Sequence, residues 1–325
     1  MPMILVTGGA GYIGSHAARA LRRQGLEVLI FDDLSRGHRE AIPQGCRFED
    51  GDLGRPGDVL RVFQQYPIDA VMHFAGLSLV GESMREPARY YQHNVGEAAL
   101  LVKTALQHEV DRFIFSSSCS VYGQPQRIPM DEEHPCSPIS PYGRSKRTVE
   151  LLLEDCRRAH GLRYINLRYF NACGASLDGR LGESHQPETH LIPCILQAAR
   201  RDRPVHIFGN DYDTPDGTCI RDYIHVEDLA TGHLVALERL HENDVGECFN
   251  LGTGKGLSVL EVIEETRRVT GLAVPSKQAP RRPGDPAMLV CDPSRARRQL
   301  SWKPRHSDLT TILQSAWAWE NDRRY

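Results

Sequence analysis

No C-x-x-C pair occurs anywhere in the 325 residues. The nine cysteines stand apart, at 46, 119, 136, 156, 173, 194, 219, 248 and 291. Zinc-ribbon and thioredoxin-like arrangements therefore fail on spacing, and scattered thiols suit a reducing compartment better than a disulfide framework. No charge of one sign dominates, since 42 acidic against 39 basic residues leave a net charge of -3. That balance argues against a dedicated nucleic-acid or membrane-surface binder. No apolar run approaches the ~20 residues a membrane span needs. Only Met1, Pro2 and Met3 stand at the head of the first apolar run, without the basic segment of a signal peptide. The expectation is a soluble, cytoplasmic protein. Internal repeats and low-complexity tracts are lacking too.

What is present is alternation. Short apolar, β-branched runs at 3–7, 27–32, 69–74, 112–116 and 163–169 read as buried strands. Amphipathic stretches at 12–24, 87–108 and 142–160 read as helices between them. Strand–helix–strand repetition means right-handed βαβ units and a parallel sheet covered on both faces. The fold class is α/β, a Rossmann-type doubly wound sheet with a smaller C-terminal α/β substrate lobe. Beyond Asn171, loops rich in Gly, Pro and Asp at 174–187, 209–217 and 280–286 separate shorter elements. The expected division is 1–171 for the sheet domain and 172–325 for the lobe. Returns to the main sheet are expected at 222–225 and 248–251.

The first strand runs into Thr7-Gly8-Gly9-Ala10-Gly11-Tyr12-Ile13-Gly14. This satisfies G-x-G-x-x-G and also sets glycines three apart at 8, 11 and 14. One glycine makes the tight turn, one lets backbone N–H groups reach a pyrophosphate, and one lets helix and strand pack closely. A lone match is weak, but here a strand precedes it and a helix follows. The second strand ends at Asp32, near the ~20-residue distance expected of a ribose-binding carboxylate. Such an acid accepts both ribose hydroxyls and repels a 2′-phosphate, so NAD is favoured over NADP. Arg36 is the one nearby residue that works the other way.

Tyr142 and Lys146 stand one turn apart at the start of a predicted helix, with Cβ atoms ~5–6 Å apart. A free phenol has a pKa of about 10. Bringing it near 7 takes about 4 kcal/mol of differential stabilisation. An ammonium a few ångströms away supplies roughly that at an effective dielectric of about 20. The pair is thus a candidate base for drawing a proton off a hydroxyl while hydride leaves the same carbon. Ser118, at a predicted strand end, is placed to hydrogen-bond the reacting oxygen. A Y-x-x-x-K pair alone is common on surfaces; the glycine turn, Asp32 and the serine-rich strand end give it weight.

With these residues in view the chain resembles the extended short-chain dehydrogenase/reductase superfamily and, within it, the UDP-glucose 4-epimerase family. The resemblance spans nearly the whole length. It rests on TGGAGYIGSH at 7–16, HFAGL at 73–77, VGES at 80–83, FSSS at 115–118, VYG at 121–123, SPYGRSK at 140–146 and LRYFN at 167–171. In the second half it rests on IFGNDY at 207–212, DGTCIRDYIHV at 216–226, NLGTG at 250–254 and APRRPGD at 279–285.

The resemblance implies NAD-dependent interconversion of UDP-glucose and UDP-galactose through a 4-keto sugar. It assigns Gly8, Gly11, Tyr12, Ile13, Gly14 and Asp32 to NAD, Asp52 and Leu53 to its adenine, and Phe74, Ala75, Gly76, Asn94 and Lys146 to contacts further along. Tyr142 is the implied base, with Lys146 and Ser118 beside it, and Ser118 and Tyr142 also touch the sugar. Asn171, Leu191, Phe208, Arg221, Tyr223, Arg282 and Asp285 match positions that hold the UDP-sugar. Two arginines suit a diphosphate, because guanidinium binds phosphate bidentately. A homodimer is implied, through the helices at 87–108 and 142–160.

Three departures stand out. Ser78 replaces a lysine of some members, which weakens the expected grip on NAD. His190 replaces an asparagine near the substrate; it is expected to be a neutral contact and no metal ligand, having no partner at ligand spacing. Leu289 falls where some members have tyrosine, so N-acetylated UDP-sugars are expected to fit to some degree. A 4-epimerase of another UDP-sugar, pentose or N-acetylhexosamine, remains a rival. A 4,6-dehydratase is disfavoured, because Cys119, Ser120, Val121 and Tyr122 after Ser118 include no acid. A non-catalytic NAD-binding sensor is a third reading, opposed by the intact Ser118, Tyr142 and Lys146.

Overall fold

The computed structural model describes residues 3–242, 244–282 and 285–325. Pro283 and Gly284 of the 279–285 motif, like Met1 and Pro2, lie outside the described residues. Strand β1 (Met3–Thr7) is buried along its whole length, as a strand covered on both faces should be. Its side chains alternate between two cores: Ile4 and Val6 on one face, Met3 and Leu5 on the other. Parallel to it run β2 (Glu27–Asp32), β3 (Arg47–Asp50), β4 (Ile68–His73), β5 (Arg112–Ser118) and β6 (Arg163–Tyr169).

After β6 the chain makes β7 (Asn171–Cys173), β8 (Val205–Phe208) and β9 (Ile220–His225) before β10 (Gly246–Leu251) returns beside β6. The seven-stranded order is β10-β6-β5-β4-β1-β2-β3. The direction of winding reverses between β1 and β4, and the crevice beyond their carboxyl ends is where such sheets bind ligands.

Helix α1 (Tyr12–Arg23) covers one face, with Ala18 and Leu21 in the core of Ile4 and Val6. On the other face lie α2 (Pro56–Gln65), α3 (Val80–Arg85), α4 (Pro87–Tyr91), α5 (Glu97–Gln107) and α6 (Pro141–His160). Val59, Leu101 and Val149 from three of these join Met3 and Leu5. The stretch predicted as one helix over 87–108 is continuous but holds a π-helical turn at Gln92–Gly96. Of the elements that went unread in the sequence, two show why. β3 is an edge strand without a buried residue, so it offers no apolar run, and α2 presents only Val59, Val62 and Phe63 to the core.

The expected return at 248–251 occurs as β10, but that at 222–225 does not. β9 pairs in parallel with β7, because the free edge of β6 is already occupied by β10. Asp222 also anchors β9 elsewhere, accepting N–H bonds from Thr253 at 2.8 Å and Gly254 at 2.9 Å. Helix α7 (Leu191–Arg200) packs in this second half, while α8 (Val226–Arg239) lies against α1 on the main sheet. β11 (Gly256–Ser258), β9 and β13 (Met288–Leu289) make a small sheet with β7, and β12 (Ser276–Ala279) pairs with β8. Ser258 and Glu261 form a reciprocal cap that starts α9 (Val259–Thr270). α10 (Ser294–Gln299) and α11 (Leu309–Asn321) follow, and Ile312 and Leu313 of α11 close the core over α7 and α9. Among the described residues no helix is long and apolar enough to cross a membrane.

Candidate active site

The carboxyl ends of β1 and β4 nearly touch. Gly8 has φ 71°, and a Cβ there would sit 2.5 Å from the Ala75 nitrogen. Gly14 packs so tightly on the same turn that its Cβ would collide with the Gly8 carbonyl oxygen. The turn delivers the chain into α1 with Gly11 as N-cap, no side chain capping it and no acid in the first turn. Those free N–H groups, at the positive end of a helix dipole, fit a pyrophosphate. Beside them Asp32, nine-tenths buried, accepts from Ala10 N at 3.0 Å and Leu34 N at 2.9 Å. Burial pushes this carboxyl up, and the two backbone donors oppose it. The residues thus fit NAD, with each Asp32 oxygen retaining a lone pair for the ribose hydroxyls.

The turn opens into a cavity of about 1520 Å³. Single-ligand pockets run to roughly 300–1,000 Å³, so this one has room for a dinucleotide and a second sizeable molecule. Of the residues singled out in the sequence, all but Asn94 line it. Asn94 is buried in the π-helical turn beneath the wall. Its Oδ1 accepts from Leu77 N at 2.8 Å, and its Nδ2 donates to Leu77 O at 3.0 Å and Ser145 Oγ at 2.9 Å. It positions the Gly76–Leu77 loop and does not contact the cavity.

Midway along the cavity, α6 begins with Ser140 as its cap and Pro141 in its first turn, which projects Tyr142 and Lys146 inward. Lys146 Nζ donates to Ser116 O at 2.8 Å and lies 6.0 Å from the Tyr142 ring centroid. Burial lowers Lys146 to about 8, against the pull of Glu150. Burial also pushes Tyr142 up to about 12, opposed by a hydrogen bond from Ser118. The lowering expected from Lys146, to which a bound cationic nicotinamide would add, is opposed here by burial of the phenol. The ammonium is itself desolvated and spends a hydrogen bond on the Ser116 carbonyl, so desolvation of the phenol prevails. A cationic nicotinamide beside it acts in the lowering direction.

The far half of the cavity comes from the second lobe. Strand register sets Asn171 beside Tyr223 and Leu289 beside Arg221. Arg221 is ion-paired with Asp285; burial disfavours its charge, yet Asp285 more than restores it. The Arg282 guanidinium lies 4.1 Å above the Phe208 ring, a cation–π stack that holds it ready for an anion. Leu191 opens α7 at the wall, and His190 is its N-cap residue.

His190 departs from expectation. Glu183 pairs with its Nδ1 and raises it to about 9, against partial desolvation. Burial pushes Glu183 up, but His190 and His185 outweigh it and hold that carboxyl at about 2. Nor is His190 without partners: Glu183, His185 and Glu188 each bring a polar atom within 4.8 Å of it. Sequence reading missed these three, although Glu183-Ser184-His185-Gln186-Pro187-Glu188-Thr189-His190 sets out their pattern of His and Glu in plain view.

The model of the NAD dependent epimerase/dehydratase family matches residues 4–252. A UDP-glucose 4-epimerase of Halalkalibacterium halodurans is 48% identical over 321 residues, 98% of this chain and 96% of that one. A crystal structure of UDP-glucose 4-epimerase from Brucella ovis in complex with NAD has a TM-score of 0.94 at 46% identity, covering 98% of each chain. The UDP-Glc/GlcNAc 4-epimerase of Campylobacter jejuni has a TM-score of 0.87 at 42% identity, covering 99% of each. With a glycine turn, a ribose carboxylate and a Ser–Tyr–Lys set in one cavity, the chain belongs to the NAD dependent epimerase/dehydratase family.

Proposed function

We propose that this protein interconverts UDP-glucose and UDP-galactose by inverting the sugar at C4. The observation that carries the reading is the convergence of Ser118, Tyr142 and Lys146 between the uncapped start of α1 and the arginine-bearing wall. Tyr142 takes the proton from the C4 hydroxyl and returns it after inversion, and Ser118 holds the reacting oxygen. Lys146, fixed on Ser116 O, orients the phenol and biases its proton. NAD, when bound, supplies the hydride acceptor and donor for the same carbon. Arg221 and Arg282 grip the diphosphate while the hexose turns over in a cavity large enough to permit it.

The test is conversion of UDP-galactose by purified protein, followed as UDP-glucose formed. Tyr142→Phe should lose roughly 10²–10⁴-fold in kcat while retaining UDP binding. A wild type that is inactive with NAD supplied, though folded, would sink the reading.

Three further features rest on narrower support. We infer a division near residue 171, the chain beyond it supplying the nucleotide-sugar wall. A homodimer through α4, α5 and α6 is supported by Tyr91 and Leu151, 39% and 44% exposed on those helices. A cytoplasmic setting is supported by nine free cysteines.

A further inference from the structure

Between β7 and α7 the chain runs along the cavity wall and folds back on itself at 183–190. There Glu183, His185, Glu188 and His190 each offer one nitrogen or oxygen, and the four atoms lie within 4.8 Å of one another. His185 Nδ1 is 3.1 Å from Glu183 Oε1 and 3.9 Å from Glu188 Oε2. His190 Nδ1 shares that Glu183 oxygen.

Glu188 supplies the second, independent observation. Its side chain is 8% exposed. Oε1 accepts from Thr189 N at 2.7 Å and His190 N at 2.9 Å, whereas Oε2 is buried with no hydrogen-bond partner. An orphaned buried polar atom costs about 1–3 kcal/mol, and more when charged. This one faces two imidazoles and a second carboxylate, and no solvated surface.

We propose that Glu183, His185, Glu188 and His190 form a binding site for a divalent transition-metal cation of the Zn²⁺ type, which fastens the cavity-wall loop. Two imidazole nitrogens and two carboxylate oxygens are a donor set that Zn²⁺ takes in tetrahedral geometry. Ca²⁺ and Mg²⁺ prefer more oxygens and no imidazole. Ligands at about 2.0–2.2 Å from zinc lie roughly 3.3–3.6 Å from one another. The His185–Glu183 pair at 3.1 Å and the closer His190–Glu183 pair need only open slightly, while His185–Glu188 at 3.9 Å closes slightly.

The location gives the cation its role. The His185 ring meets Tyr12 of α1 edge-on, with centroids 6.3 Å apart. The Glu183 carbonyl accepts from Trp319 Nε1 of α11 at 2.9 Å. His190 stands at the start of α7. A cation held here joins the helix that begins the NAD half to the loop and helix that begin the nucleotide-sugar half. It is a structural clamp at the seam, outside the hydride and proton path.

The test uses the full chain, stripped with a chelator and titrated with Zn²⁺ or Co²⁺ alone, by calorimetry and visible absorption. The site predicts one saturable equivalent and a tetrahedral Co²⁺ spectrum without thiolate charge-transfer bands. Glu188→Gln and His190→Gln should each weaken binding by about tenfold or more. Zn²⁺ should raise the thermal midpoint of the wild type and leave that of the variants nearly unmoved. Both replacements spare the deeply buried Glu183; should one fail to fold, the other decides. The proposal is overturned by no saturable binding, by undiminished binding in the folded variants, or by a cobalt spectrum showing cysteine ligands. None of these readouts depends on catalysis.

Discussion

Arg168 at the end of β6 grips Glu150 of α6 with both arms, Nε to Oε1 and Nη2 to Oε2, each at 2.8 Å. Both side chains are almost wholly buried, 3% and 1% exposed. Ser117 donates to the same Glu150 oxygen at 2.7 Å, so the pair ties the end of β5, next to Ser118, to the helix that carries Tyr142 and Lys146. It also holds a negative charge one turn from Lys146, where it works against the desolvation that lowers the ammonium.

Replacing Glu150 with Gln leaves the Arg168 guanidinium buried without its counter-charge. Breaking a buried pair in this way costs about 3–5 kcal/mol, and a urea titration should show a loss of that order. An unchanged midpoint would contradict the role assigned here. The surviving folded enzyme should also show Lys146 deprotonating at lower pH, because its stabilising carboxylate is gone.

Gly14→Ala should abolish NAD binding. The added methyl points into the Gly8 carbonyl, and relief requires the turn to open. Opening moves Gly8 away from Ala75 and turns the free N–H groups of α1 from the pyrophosphate. Equilibrium dialysis with NAD should show little or no retention, in a protein whose far-UV dichroism is close to wild type. Retention at the wild-type level would mean that the turn is more compliant than its packing implies.

How much of this was legible beforehand follows from which forces act locally. The strand at 3–7, the turn at 8–14 and the Tyr142–Lys146 spacing are all written within one or two turns of chain, where periodicity and glycine placement suffice. β3 was invisible because an edge strand with no buried residue carries no apolar pattern. The misplacement of 222–225 has a different origin: its strand character is local, but its partner is decided by which edge of β6 remains open. Resemblance points to Asn94 as a cofactor contact, whereas the π-helical turn has it bracing Leu77 from beneath. The opposing push of burial on Tyr142 escapes the sequence for a related reason. Spacing gives the distance to Lys146 but says nothing of how deeply both groups are desolvated.

Leu289 tests the sugar range. It stands next to Arg221 in the register of β13 with β9 and faces the cavity. Leu289→Tyr adds a ring and hydroxyl there, and should exclude an N-acetyl group more than a hydroxyl. The expected result is turnover of UDP-N-acetylglucosamine by the wild type and a selective fall in the variant, with UDP-glucose changed by less. Since filling a pocket by a few atoms changes discrimination by about 1–3 kcal/mol, the ratio of kcat/KM values should move by roughly 10–200-fold. Absence of N-acetyl turnover in the wild type at saturation would remove the idea.

Two buried histidines, His73 on β4 and His233 on α8, predict an acid limit on stability. His73 hydrogen-bonds Thr7 through Nδ1 at 2.7 Å, and His233 is wedged against Tyr169 and Phe74. Burial lowers His73 to about 3, with Lys146 adding to the effect, and lowers His233 to about 4. In the unfolded chain each binds a proton near pH 6.5. Between that value and the folded one the unfolded state holds more protons, so stability rises with pH. The contribution is fully present above about pH 6.5 and is lost as pH falls toward the folded values. By pH ~4.5 the loss is on the order of 2.5 kcal/mol for each ring. Urea midpoints should therefore fall steadily from neutral pH to ~4.5, and His73→Asn should flatten part of that slope. A flat profile in the wild type would show that the two rings are hydrated and titrate normally.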